Sequence, residues 1–230
     1  MSAPAPQSPA PLSPAQRDFL ELLVTRQALT FGDFTLKSGR KSPYFINTGC
    51  FHQGGDLTAL GRAYAATIAA RFGTEIQVVF GPAYKGIPLA LAAAQAYQLL
   101  TARPVGWTYD RKEAKDHGDG GLFVGAPLKP GTSVVIVDDV LTAGTALRES
   151  LAKLTPTGVS IRGAVVAVDR QEKGQGQLTA IEEITRDLSV PVTAIISISD
   201  AAAYLVGNDV GGKRYLTPEL QQRILRHLQG

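Results

Sequence analysis

Residues 133–145 read Ser-Val-Val-Ile-Val-Asp-Asp-Val-Leu-Thr-Ala-Gly-Thr, and no other run constrains the fold as tightly. In Ser133 to Val137, every residue after the serine is β-branched and apolar with no polar alternation, the pattern of a strand covered on both faces, as in parallel sheets. Such a strand releases its chain at its carboxyl end, which is where open α/β sheets bind ligands. The small and hydroxyl residues Thr142, Ala143, Gly144 and Thr145 let backbone N–H groups converge at the start of a following helix, whose dipole favours an anion such as a phosphate monoester. Asp138 and Asp139 stand just before that point, where carboxylates can accept hydrogen bonds from vicinal hydroxyls. Taken alone, two acids and a threonine could equally cap the next helix. No Gly-x-x-x-x-Gly-Lys-Ser/Thr and no Gly-x-Gly-x-x-Gly follows a strand, so the P-loop and dinucleotide-binding readings lack their parts.

The flanking chain alternates between strand and helix patterns. Ser13 reads as an N-cap with Pro14 at the first helical position and Phe19, Leu20, Leu22 and Leu23 as an apolar face. Phe31 to Leu36 and Tyr44 to Thr48 read as extended segments around a polar turn, a hairpin-like hood within residues 14–50. Leu57 to Phe72, Ile87 to Leu100, Ala146 to Leu154, Ala180 to Leu188 and Leu216 to Leu228 have helical character. Gln77 to Phe80, Val105 to Tyr109, Ile161 to Val168 and Val190 to Ile198 read as strands. Asp110 to Gly121 is charged and glycine-rich and reads as a mobile loop. The expected architecture is α/β, a mainly parallel sheet flanked by helices with a small N-terminal hood.

Residues 1–13, with Pro4, Pro6, Pro9 and Pro11, are expected to be a disordered tail ahead of one domain spanning 14–230. Cys50 is the single cysteine, which excludes an internal disulfide and points to a reducing cytoplasm. No apolar run approaches the roughly 18 residues of a membrane span. The formal charge of +3 is too mild to argue for nucleic acid, so neither a membrane nor a nucleic acid is expected as partner. His52, His227 and Cys50 carry no motif.

The run from Val134 to Thr145 resembles the phosphoribosyl pyrophosphate (PRPP) motif of type I phosphoribosyltransferases. Thr35 to Phe45, Phe80 to Pro88, Asp110 to Gly118 and Val168 to Gln171 resemble the orotate phosphoribosyltransferases within that family, in the expected order. The resemblance runs from about Ala15 to Leu205 and implies the type I phosphoribosyltransferase fold. It also implies transfer of the 5-phosphoribosyl group of PRPP to orotate. It assigns PRPP to Lys37, Tyr84, Lys85, Arg111, Lys112, Lys115, His117, Asp138, Asp139 and the loop Val140, Leu141, Thr142, Ala143, Gly144, Thr145 and Ala146. Orotate falls to Lys37, Phe45, Ile46, Thr142 and Arg170. Lys115, Arg111, His117, Asp138 and Asp139 are the catalytic candidates. The family also implies Mg²⁺ held mainly by PRPP and water, with no dedicated protein ligands, and a homodimer whose 110–121 loop closes over the neighbouring subunit's site.

Residue chemistry is compatible with these roles. Lys85 beside glycines can neutralise a pyrophosphate, although a lysine at a helix start can also simply snorkel. Arg170 can pair with a carboxylate, or lie on the surface. The charged 110–121 segment can equally be a solvated loop. Ile46 departs from the family, where an aromatic residue follows Phe45. A regulator that binds PRPP without catalysis, and transfer to a purine base, are the competing functions. The first would not need the 110–121 loop, and the second would not need Lys37 to Phe45 or Arg170.

Overall fold

The computed structural model describes residues 11–35, 39–115, 121–141, 144–172, 176 and 178–229, apart from the side chains of residues 114 and 115. Helix α1 (Pro14–Thr25) starts as expected: Ser13 and Gln16 form a reciprocal capping box with Pro14 at the first position. Leu12, however, is buried in the core, and its carbonyl accepts a hydrogen bond from Arg17 (3.0 Å). The tail expected over 1–13 is therefore too long at its inner end, because an apolar side chain had a core to enter.

Next come β1 (Leu29–Thr35) and β2 (Lys41–Ile46), an antiparallel hairpin that pairs Phe31 with Tyr44. It is followed by α2 (Gly54–Phe72), β3 (Val78–Phe80), α3 (Gly86–Thr101), β4 (Gly106–Lys115) and β5 (Gly121–Gly125). Then follow β6 (Ser133–Val140), α4 (Thr145–Leu154), β7 (Ser160–Asp169), α5 (Ala180–Leu188), β8 (Val192–Ser197), α6 (Ile198–Gly207) and α7 (Pro218–Gln229). Among the described residues, β3 to β8 form one six-stranded sheet in the order β5-β4-β3-β6-β7-β8. All neighbours are parallel except β4 and β5. This is the fold expected of the chain.

The unbroken apolar run in β6 has a simple cause. Val135 and Val137 face a core shared with Tyr64 of α2, Ala90 of α3 and Leu205 of α6. Val134 and Ile136 face the opposite layer, with Leu147 and Leu151 of α4 and Ile184 of α5. Alternate side chains point to opposite faces, so two helix layers demand apolar residues at every position.

Two expectations fail. The segment 110–121 was expected as a loop with nothing to anchor it, yet β4 continues to Lys115 and β5 returns beside it, pairing Tyr109 with Val124 and Lys115 with Gly121. The anchors lie outside the charged run: Phe123 packs edge-on to Phe80 at 6.1 Å. In addition Asp110, almost wholly buried, is ion-paired with Lys153 of α4. Residues 116–120 lie outside the described residues. Helix α6 was also unexpected, since β8 runs straight into it and Ser197 serves at once as strand end and N-cap, accepting from the Asp200 N–H (3.1 Å). Helix α7 then backs the β1–β2 hairpin.

Candidate active site

The parallel register brings the functional segments to one end of the sheet. Phe80 pairs with Ile136, Asp138 with Val166 and Val140 with Val168, so β3, β6 and β7 release their chains side by side. The turn from β3 into α3 is closed on itself. The Gly81 N–H donates to the Thr108 carbonyl (3.0 Å), the Ala83 N–H to the Asp110 carboxylate (2.9 Å) and the Gly86 N–H to the Pro82 carbonyl (3.0 Å). A Cβ on Gly81 would lie 2.0 Å from the Gly86 carbonyl oxygen, so only glycine fits there. This turn presents Tyr84 and Lys85, both largely exposed, and sets the Lys112 ammonium 5.8 Å from the centre of the Tyr84 ring.

Lys85 reaches across to β6. Its ammonium donates to Asp139 Oδ2 (2.7 Å), which also accepts from the Thr48 hydroxyl (2.8 Å), while Asp139 Oδ1 accepts from the Val140 N–H (2.7 Å). Asp138 has a different setting. Its carboxylate accepts only the Asp139 N–H (2.9 Å) among the hydrogen bonds of the described residues, and the Tyr64 hydroxyl donates to its backbone carbonyl (2.6 Å). Burial pushes the Asp138 carboxyl up to about 6, aided by the charge of Asp139 and opposed by the Asp139 N–H and Lys85. A cavity of about 210 Å³ lies against Asp139, bounded also by Thr48, Tyr64, Lys85, Leu89 and Ala167. Beyond Leu141, Gly144 is in the left-handed conformation (φ +69°) as the N-cap of α4, and a Cβ there would meet Ile184 Cδ1 at 2.1 Å.

On the far side of β6, Arg170 leaves the end of β7 and donates to Glu172 Oε1 (2.7 Å). The hairpin meets it there: the Tyr44 hydroxyl donates to the same Glu172 oxygen (2.8 Å), with the Arg170 carbonyl also within reach at 3.1 Å. The next residue, Phe45, is 43% exposed and stacks on Phe34 at 5.6 Å. Ile46 packs its side chain on the core. Arg111 donates across its hairpin to the Gly121 carbonyl (3.0 Å).

Of the residues expected at the site, Asp138, Asp139 and Lys85 come together, as do Tyr84 and Lys112. Val140, Leu141, Gly144, Thr145 and Ala146 line the path from β6 to α4. Lys37, His117, Thr142 and Ala143, and the side chain of Lys115, lie outside the described residues. The expectations did not include Thr48, Tyr64, Asp110 or Glu172. Nothing local marks the first three, whereas Glu172 lies one residue past the Val168–Gln171 segment and was within reach.

A mainly parallel sheet that gathers a lysine and two carboxylates at the carboxyl ends of its strands is the frame of this site, and the chain falls in the phosphoribosyltransferase class. The family model described as "Phosphoribosyl transferase domain" matches residues 50–196. The orotate phosphoribosyltransferase of Aeromonas salmonicida (strain A449) is 53% identical over 192 residues, covering 83% of this chain and 86% of that protein. The orotate phosphoribosyltransferase of Cronobacter sakazakii (strain ATCC BAA-894) is 49% identical over 194 residues, 84% and 90% of the two chains. The crystal structure of the Francisella tularensis orotate phosphoribosyltransferase superposes with a TM-score of 0.78 at 37% identity, covering 92% of this chain and 97% of that one. The chain belongs to the orotate phosphoribosyltransferase family, enzymes of pyrimidine nucleotide biosynthesis.

Proposed function

We propose that the chain transfers the phosphoribosyl group from PRPP to orotate, giving orotidine 5'-phosphate and pyrophosphate, with each part of the substrates met by a different strand end. The observation that carries this division is the Lys85–Asp139 ion pair, which sets a cation for pyrophosphate and a carboxylate for the ribose diol in direct contact. PRPP would exchange the pair. Lys85 turns to the pyrophosphate while Asp139, with Asp138, accepts the ribose hydroxyls, and residues 140–146 take the 5'-phosphate. Tyr84, Arg111, Lys112, Lys115, His117 and Lys37 complete the pyrophosphate side. Arg170 takes the orotate carboxylate, and Phe45, Ile46, Thr142 and Lys37 the ring; the inward side chain of Ile46 leaves that position to act through its backbone.

A ring nitrogen of orotate then attacks C1 of the ribose as the bond to pyrophosphate breaks, through an oxocarbenium-like state, and the proton of that nitrogen leaves to the departing pyrophosphate or to solvent. No side-chain nucleophile is needed; Lys85 and the β4–β5 hairpin stabilise the departing charge. The adjacent carboxylates of Asp138 and Asp139 are hard oxygen donors of the kind that suit Mg²⁺ carried mainly by substrate and water, and bound Mg²⁺ would supply further neutralisation of the pyrophosphate. Loss of orotate absorbance that requires both PRPP and Mg²⁺ tests the reading, with adenine, hypoxanthine and uracil as controls. Turnover of a control base, or PRPP binding without any turnover, would overturn it.

The enzyme is proposed to act as a cytoplasmic homodimer with shared sites. Support for the dimer comes from apolar side chains left exposed on α3 and β4: Leu91 and Leu99, two turns apart on α3, with Trp107 on β4. If Lys115 serves the neighbour's site, Lys115→Ala and Arg170→Ala proteins are each nearly inactive, yet mixing them restores about a quarter of wild-type activity after full exchange, since half the dimers are mixed and each has one intact site. No recovery, with exchange verified, would mean that Lys115 serves its own subunit or that Arg170 does not hold orotate.

A further inference from the structure

Arg170 is not held by its own backbone alone. Glu172 sits at the centre of a cluster drawn from two distant stretches of chain. Its Oε1 accepts from both Arg170 and the Tyr44 hydroxyl, and its Oε2 pairs with Arg40 from the turn of the β1–β2 hairpin. Tyr44 is fully buried, with the Arg170 guanidinium 5.9 Å from its ring centre and the His227 ring edge-on to it at 5.9 Å. Arg170 itself is only 22% exposed, and its Nε–H is buried with no hydrogen-bond partner among the described residues. The Arg170 side chain is therefore oriented by one carboxylate and one ring, which the hairpin in turn fixes.

We propose that Tyr44 and Glu172 are positioning residues for orotate: they aim the Arg170 guanidinium at the base's carboxylate and tie its placement to the packing of the β1–β2 hairpin. The inference rests on the assignment of Arg170 to orotate. The chemistry of the cluster fits that task. A lone arginine has several rotatable bonds and would lose entropy on binding a carboxylate. Glu172 engages one N–H of the fork, and the Tyr44 ring packs against the guanidinium, so its plane is preset. Burial and the neighbouring Glu172 carboxylate also hold the Tyr44 hydroxyl well above the usual phenol range, so it remains a donor throughout the working pH.

The test is steady-state kinetics on Tyr44→Phe, Glu172→Gln and Arg170→Ala, singly and combined, with orotate and PRPP varied separately. Tyr44→Phe and Glu172→Gln are expected to raise KM for orotate about tenfold while KM for PRPP stays within about twofold. Added to Arg170→Ala, neither should raise it further, because they act through the residue already removed. Orotate KM unchanged in Tyr44→Phe and Glu172→Gln, with Arg170→Ala impaired, would overturn the proposal and leave the Arg170 assignment intact. An Arg170→Ala enzyme with normal orotate KM would instead overturn the assignment itself. Equal rises in both KM values, or effects that add to Arg170→Ala, would mark a general structural role and also overturn it. Tyr44→Phe removes a single oxygen from a ring whose packing is kept, so it decides the matter if Glu172→Gln does not fold.

Discussion

The two halves of the site are built from different materials. On the proposed phosphate side, the β3–α3 turn is shaped by main chain against main chain, with Gly81 and Gly86 in contact, and the start of α4 by the Gly144 backbone against the Ile184 side chain. On the base side, the hairpin and the end of β7 are joined by side chains: Tyr44, Arg170, Glu172 and Arg40. Backbone contacts of this closeness leave no room for even a methyl group, whereas a side-chain cluster can be rebuilt one residue at a time. On the proposed assignment, the phosphate and pyrophosphate groups would be bound by the part of the site that tolerates least change, and the base by the part that tolerates most.

The sharpest way to break this comparison is Gly81→Ala. Its new methyl would sit 2.0 Å from a carbonyl oxygen that cannot swing away, so a loss of about 3 kcal/mol or more is expected. At this chain length that means a fall of roughly 6–12 °C in Tm by thermal denaturation. Phe45→Ala on the base side, where the ring is 43% exposed, should cost no more than about 1.5 kcal/mol of stacking. Similar losses in the two variants would erase the distinction.

The next effect is kinetic. Asp139→Asn should lower kcat/KM for PRPP about ten- to hundredfold, because hydrogen bonds to a charged acceptor contribute roughly 1.5–3 kcal/mol. It also leaves Lys85 without its carboxylate partner. Unaltered PRPP kinetics would separate Asp139 from the diol.

Asp138→Asn should show the smallest and most discriminating effect, because function and stability move in opposite directions. Its carboxyl is held near 6 in the folded chain against an ordinary value of 3.8, so the folded state binds the extra proton between those values. Stability therefore falls as pH rises from about 4 to about 6 and stays lower above that. Removing the charge should raise stability at pH 8 by about 1–3 kcal/mol, with the gain vanishing near pH 4, while PRPP use weakens. Thermal melts of both proteins across pH 4–8 check this, and a gain that persists at pH 4 would show that burial of the charge is not its cause.

Much of this protein was legible along the chain. The unbroken apolar run of β6, the small residues after it and the cap at Ser13 are local statements, since strand burial, turn geometry and helix starts depend on neighbours a few positions away. Positions that depend on distant partners were not legible. The 110–121 segment looked unanchored because Phe80 and Lys153, which hold Phe123 and Asp110 of its two strands, lie elsewhere in sequence. Thr48 and Tyr64 meet the Asp138–Asp139 pair from 91 and 74 residues away. Glu172 acquires its meaning only when the hairpin brings Tyr44 across 128 residues to meet it. Local sequence determined the strand, the turn and the chemistry available there. Tertiary structure alone decided which carboxylate is half-buried with its carboxyl pushed up to about 6, which is paired with a lysine, and which is paired with an arginine, because charge and orientation depend on neighbours that the fold brings in from afar.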